Sequence, residues 1–151
     1  MSDTYGFAAL RVELTLDEGE KSKPYIDTSG NVTIGIGRNL TANGVSADEI
    51  SLMFTNDVTA AESALDAGVP WWRTLDPVRQ RVMLNMCFNM GWTVFSQFKR
   101  FFIFMKGGEW EEAGAAMQAS LWWHQVGERA VRLQGMVLTG NPPAIPGEPN
   151  A

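Results

Sequence analysis

Between Tyr5 and Asp17 the apolar residues Ala8, Ala9, Val12 and Leu16 recur at helical spacing, and Gly19 stops the run. Pro24 breaks the chain, and Tyr25-Ile26 opens a strand. Asp27-Thr-Ser-Gly-Asn31 is rich in turn formers, and Val32, Ile34 and Ile36 then alternate with Thr33, Gly35 and Gly37. That alternation predicts a hairpin whose second strand has one apolar face and one small or hydroxylated face. Ser46-Ala-Asp-Glu49 matches a capping box and opens a helix to about Asp66, ended by Gly68-Val-Pro70. Asp76-Pro77 supplies an N-cap with proline at the first helical position. The helix that follows, Val78 to Met90, is apolar on nearly every side and so belongs at the centre of a core. Its polar exceptions, Asn85 and Asn89, lie one turn apart on one face and require partners. Three more helices are expected around residues 95–106, 109–120 and 128–139.

The elements predict an α+β fold, mostly helical, with two lobes and a small N-terminal β-hairpin. A single domain over residues 1–151 would divide into a small lobe of about 16–57 and a helical lobe of about 70–140. The helix of about 47–66 would connect them, and 141–151 would form a flexible, proline-containing tail.

Composition narrows the functional classes. At 151 residues and 45% hydrophobic, the chain has ample core for one domain. No stretch reaches the roughly 18 apolar residues that span a bilayer, so membrane insertion is not expected. The first residues carry acids and no basic, apolar leader, so no secretory signal is expected either. Cys87 is the only cysteine and lies in an apolar run, where it reads as a small core residue; no thiol-hydrolase pattern surrounds it or His124. Residues 1–70 hold 11 acids against 4 bases, residues 71–151 hold 6 against 8, and the net charge is −5. With a pI near 4.8, nucleic acid is a poor candidate partner. No residue set has zinc-site spacing and no glycine-rich phosphate loop is present, so neither metal nor cofactor is expected.

Glu18, Asp27 and Thr33 carry the candidate chemistry. Glu18 stands at a helix C-terminus, where the negative end of the helix dipole disfavours a carboxylate and so suits a proton donor. Asp27 begins a turn, where backbone N–H groups favour the charged form of a base that holds water. Thr33, across the hairpin, could hold the same water. Two carboxyls in unlike settings are what acid–base cleavage of a sugar chain requires. Acids at helix ends and turns are common, however, so these positions alone do not decide for catalysis.

Several ordered motifs carry a more specific signal: Asp17-Glu-Gly19, Tyr25-x-Asp-Thr-x-Gly30, Thr33-Ile-Gly-Ile-Gly37, Leu84-Asn-Met-x-Phe-x-Met-Gly91, Ser120-x-Trp122 and Arg129-Ala-x-Arg132. With these the chain resembles the phage-type lysozymes, or endolysins, related to the T-even phage enzyme. The resemblance covers most of the chain and implies a lysozyme-like fold. It implies a muramidase, a glycoside hydrolase that cuts the β-1,4 bond between N-acetylmuramic acid and N-acetylglucosamine with inversion. Glu18 matches the general acid, Asp27 the carboxylate that positions water, and Thr33 the threonine beside that water. Phe88, Asn89 and Trp122 match positions lining the saccharide groove, Asn85 matches a structural asparagine, and Arg129 matches an arginine paired with the acid.

The chain also departs from the family. Arg38 stands where the family often has histidine, and an ion pair of Arg38 with Asp57 is expected in place of a histidine–aspartate pair. The segment from Thr41 to Ser46 is much shorter than in the T-even enzyme, which trims the small lobe. The expected partner is the glycan strand of peptidoglycan, met by a monomer. Waiting in the host cytoplasm until a holin opens the membrane is one expected setting, and a virion-borne role is another. Two rival readings remain: a lytic transglycosylase, which needs no water-holding aspartate, and a non-catalytic wall-binding virion component.

Overall fold

The computed structural model describes residues 4–144, so residues 145–151 of the expected tail lie outside them. In chain order the elements are α1 (Phe7–Glu18), β1 (Lys21–Ile26), β2 (Val32–Gly35), β3 (Arg38–Asn39), α2 (Leu40–Asn43) and α3 (Ala47–Gly68). A 3-10 turn (Pro70–Thr74) follows, and then α4 (Pro77–Met90), α5 (Trp92–Phe95), α6 (Lys99–Gly107), α7 (Trp110–Gln118), α8 (Leu121–Val126) and α9 (Glu128–Thr139). The fold is α+β, and among the described residues no helix is long and apolar enough to cross a membrane. Two units separate, residues 1–52 and 53–151, with the boundary inside α3.

The first unit holds the sheet, antiparallel in the order β1-β2-β3. Tyr25 pairs with Thr33 and Ile26 with Val32, which turns the chain back at Asp27 as the composition of that turn demands. Pro24 is tolerated because β1 is an edge strand, irregular between Lys21 and Tyr25. Thr33 and Ile34 pair in turn with Asn39 and Arg38, a third strand that the sequence pattern did not reveal. The capping box at the start of α3 closes reciprocally: Glu49 N–H donates to Ser46 Oγ at 3.2 Å, and Ser46 N–H to a Glu49 carboxylate oxygen at 2.7 Å.

In the second unit α4 is the central helix, with Val82, Met83, Met86 and Cys87 buried. Its N-cap is Asp76, which accepts the Arg79 backbone N–H at 3.1 Å. The expected single helix over 95–106 is instead two, α5 and α6, divided at Ser96–Phe98. Phe95, at the end of α5, is fully buried, 4.9 Å from Phe102 and 5.7 Å from Phe98, centroid to centroid. Cys87 is buried as expected, and burial pushes its thiol up in pKa.

Candidate active site

The three catalytic candidates all belong to the first unit. Glu18 is the last residue of α1, and Gly19 ends the helix with a positive φ while its N–H returns to Thr15 O at 2.8 Å. That stop leaves the Glu18 carboxyl exposed and lying against the β2–β3 turn at Gly37.

Asp27 sits where β1 gives way to the turn. Its Oδ1 accepts the backbone N–H of Asn31 at 2.8 Å and that of Ser29 at 2.9 Å, and the Asn31 side-chain amide reaches Oδ2 at 3.4 Å. The Asn31 N–H, above all, holds the carboxyl below the usual aspartate range against some desolvation, with Ser29, the Asn31 amide and the Thr33 hydroxyl adding to it. Thr33 is buried, and its single hydroxyl proton lies between that carboxylate and Asn31 O, the latter 3.3 Å from Oγ1. Asp27 and Thr33 are thus neighbours organised by the same five-residue turn. The local chemistry is an ionised acceptor beside a fixed hydroxyl, suited to orienting a water molecule. Asn31 and Ser29 were not singled out from sequence; the Asp-x-Ser-x-Asn spacing within a turn was the available signal.

Arg38 corrects one expectation. Its partner is Glu49, not Asp57: the guanidinium engages both Glu49 carboxylate oxygens, one at 2.8 Å, and also donates to Gly44 O at 3.1 Å. The capping box already brings Glu49 to the start of α3, while Asp57 lies eight residues further on, about 12 Å along the helix axis. Hydrogen bonding by Arg38, then the Ser46 N–H, lowers the Glu49 carboxyl to about 2.

In the second unit Phe88 is exposed and packs at 6.3 Å against Phe54. It opens on a cleft of about 500 Å³ that Asp57, Ala61, Cys87 and Trp92 also line. Asn89 is exposed too, and its Oδ1 accepts the Trp122 indole N–H at 2.8 Å. Trp122 itself is only 4% exposed, edge-on to Phe98 at 6.4 Å. So Phe88 and Asn89 present surface, whereas Trp122 offers no open ring face to a ligand and instead holds Asn89 from behind. The ring is large and apolar enough that the core claims it once its N–H has a partner. Arg129, expected beside the acid at 18, donates from Nε to Asn85 Oδ1 at 3.0 Å within its own unit. That bond satisfies the asparagine inside the central helix.

Within an α+β fold, the first unit thus holds a carboxyl at a helix end and a second, ionised carboxyl beside a hydroxyl. The sequence profile of the Phage lysozyme family matches residues 16–139, and the chain belongs to that family. It is 30% identical to the pre-baseplate central spike protein Gp5 of Enterobacteria phage T4 over 85% of this chain, but spans only 27% of that protein's length. It is also similar to two proteins of Dictyostelium discoideum, probable T4-type lysozyme 2 (28% identical) and probable T4-type lysozyme 1 (26%). Those matches cover 88% of this chain and 95% of each relative.

Proposed function

We propose that the protein is a muramidase that hydrolyses the β-1,4 bond between N-acetylmuramic acid and N-acetylglucosamine in peptidoglycan. In this reading Glu18 protonates the leaving oxygen. Water oriented by Asp27 and Thr33 attacks the opposite face of the ring, so the anomeric centre inverts. The observation that carries the reading is the Asp27 environment: two backbone N–H bonds keep the carboxyl charged beside the Thr33 hydroxyl. A lytic transglycosylase would have no use for such a water-holding pair. Membership of the phage lysozyme family supports the substrate class, and Phe88 and Asn89 are proposed as groove residues that contact the saccharide. Release to the wall during host lysis is the proposed setting. Similarity to a phage spike protein favours a second one, a wall-cutting module carried on the virion, which immunodetection in purified particles would separate from the first.

The test is digestion of purified peptidoglycan with mass spectrometry of the products, run beside Glu18→Gln. New reducing ends and a rate about 10²–10⁴-fold lower in the variant are expected, the usual contribution of a general acid. Anhydro ends would replace hydrolysis by transglycosylation, and equal clearing by both proteins would remove Glu18 from the mechanism. Proton NMR of the first-formed anomer checks inversion.

A further inference from the structure

Two glycines of the Thr33-Ile-Gly-Ile-Gly37 run both have a positive φ but differ in what surrounds them. Gly35 has φ +67 and Gly37 has φ +70, so either would be strained by an L side chain. A β-carbon on Gly35 would meet nothing within 4 Å. A β-carbon on Gly37 would lie 2.9 Å from Glu18 Oε2 and 3.0 Å from both its Cδ and Cγ. Those separations are below van der Waals contact, so the carboxyl group occupies the space that only a glycine leaves open.

We infer that Gly37 is a positioning residue for the general acid: the bare Cα of the β2–β3 turn is the seat on which the Glu18 carboxyl rests. The inference depends on the muramidase reading above for the role of Glu18. Backbone on both sides is fixed, by the helix stop at Gly19 on one and by strand pairing on the other. The Glu18 side chain is exposed and flexible, so it is the part that moves when the seat is filled. Such a move is cheap for stability, because the side chain is open to solvent. It is expensive for proton delivery, since a displacement of about 1 Å in a reacting group can lower the rate about 10²-fold. Gly37 touches no substrate in this account and acts only through Glu18.

The two glycines provide their own control. Gly37→Ala and Gly35→Ala both place an L side chain at positive φ, so both melting temperatures should fall. On soluble, uncrosslinked glycan strands, Gly37→Ala should lose about 10²-fold in kcat with little change in KM. Gly35→Ala should keep kcat within about twofold of wild type. A positioning role makes a further demand: in the Glu18→Gln background, Gly37→Ala should lower kcat no further, because the group it positions is gone. The Glu18 side-chain carboxyl carbon resonance should move in Gly37→Ala and stay in place in Gly35→Ala, a readout independent of activity. Equal kcat in the two alanine variants, or a full additional loss in the double variant, would overturn the inference while leaving the muramidase reading intact. Full activity of Glu18→Gln alone would instead overturn that reading.

Discussion

Replacing Trp122 by phenylalanine separates a supporting ring from a sugar-stacking one. The indole N–H bond to Asn89 at 2.8 Å is lost, which removes about 0.5–1.5 kcal/mol. The ring is also smaller by roughly 40 Å³ in a site only 4% exposed, and at about 24 cal/mol per Å³ that adds about 1 kcal/mol. The expected loss is therefore about 2 kcal/mol, a fall in melting temperature of roughly 4–8 °C. Asn89→Ala removes the same bond from the other end and strands the buried indole N–H, a loss of about 1–3 kcal/mol. Because both changes delete one interaction, the double variant should be more stable than the sum of losses implies, by about 1 kcal/mol. Urea unfolding followed by far-UV circular dichroism measures the three variants, and KM on soluble glycan strands is taken beside it. Trp122→Phe should leave KM near wild type. Additivity within about 0.3 kcal/mol would refute the Trp122–Asn89 coupling. Undiminished stability with a KM raised tenfold or more would show the ring facing substrate after all.

Two further outcomes test other parts of the molecule. Asp76→Ala removes the N-cap of α4 and the 3.0 Å bond to Arg79, a buried guanidinium that also donates to Val137 O at 2.8 Å and lies 3.8 Å over the Trp110 ring. With the carboxylate itself partly solvated, the expected loss is about 2 kcal/mol by urea unfolding, and Asp76→Asn should recover the capping share. A loss below about 0.5 kcal/mol would contradict the role assigned to the cap. Glu49 sets a pH dependence: its carboxyl stands at about 2 in the fold against an ordinary 4.5. A depressed acid stabilises fully above the higher value and loses that contribution as pH falls toward the lower one. The stability gap between wild type and Glu49→Gln should thus be constant above pH about 5 and narrow progressively down to pH about 2. A gap that stays unchanged over this range would sink the Arg38–Glu49 assignment.

What could be read from the amino-acid order alone was what neighbours in the chain decide. Ser46 and Glu49 cap each other three residues apart, Asp76 caps the turn that Pro77 begins, and Asp27 is solvated by N–H groups two and four residues ahead. Each such interaction closes within about one turn of backbone, so residue type and spacing suffice to foresee it. The family resemblance added Glu18 and Thr33 to the proposed site, and both fall with Asp27 in the first unit. What the tertiary structure decided was competition between partners distant in sequence. Arg38 was expected at Asp57, but the capping box holds Glu49 at the start of α3, and Glu49 takes the guanidinium. Trp122 could face solvent or core, and the chance to pair its N–H with Asn89, 33 residues away, while burying a large apolar ring settled it inward. Gly35 and Gly37 look alike in the sequence, yet only the second lies under the Glu18 carboxyl, because an approach of that kind depends on where two separate elements pack and not on either one's composition.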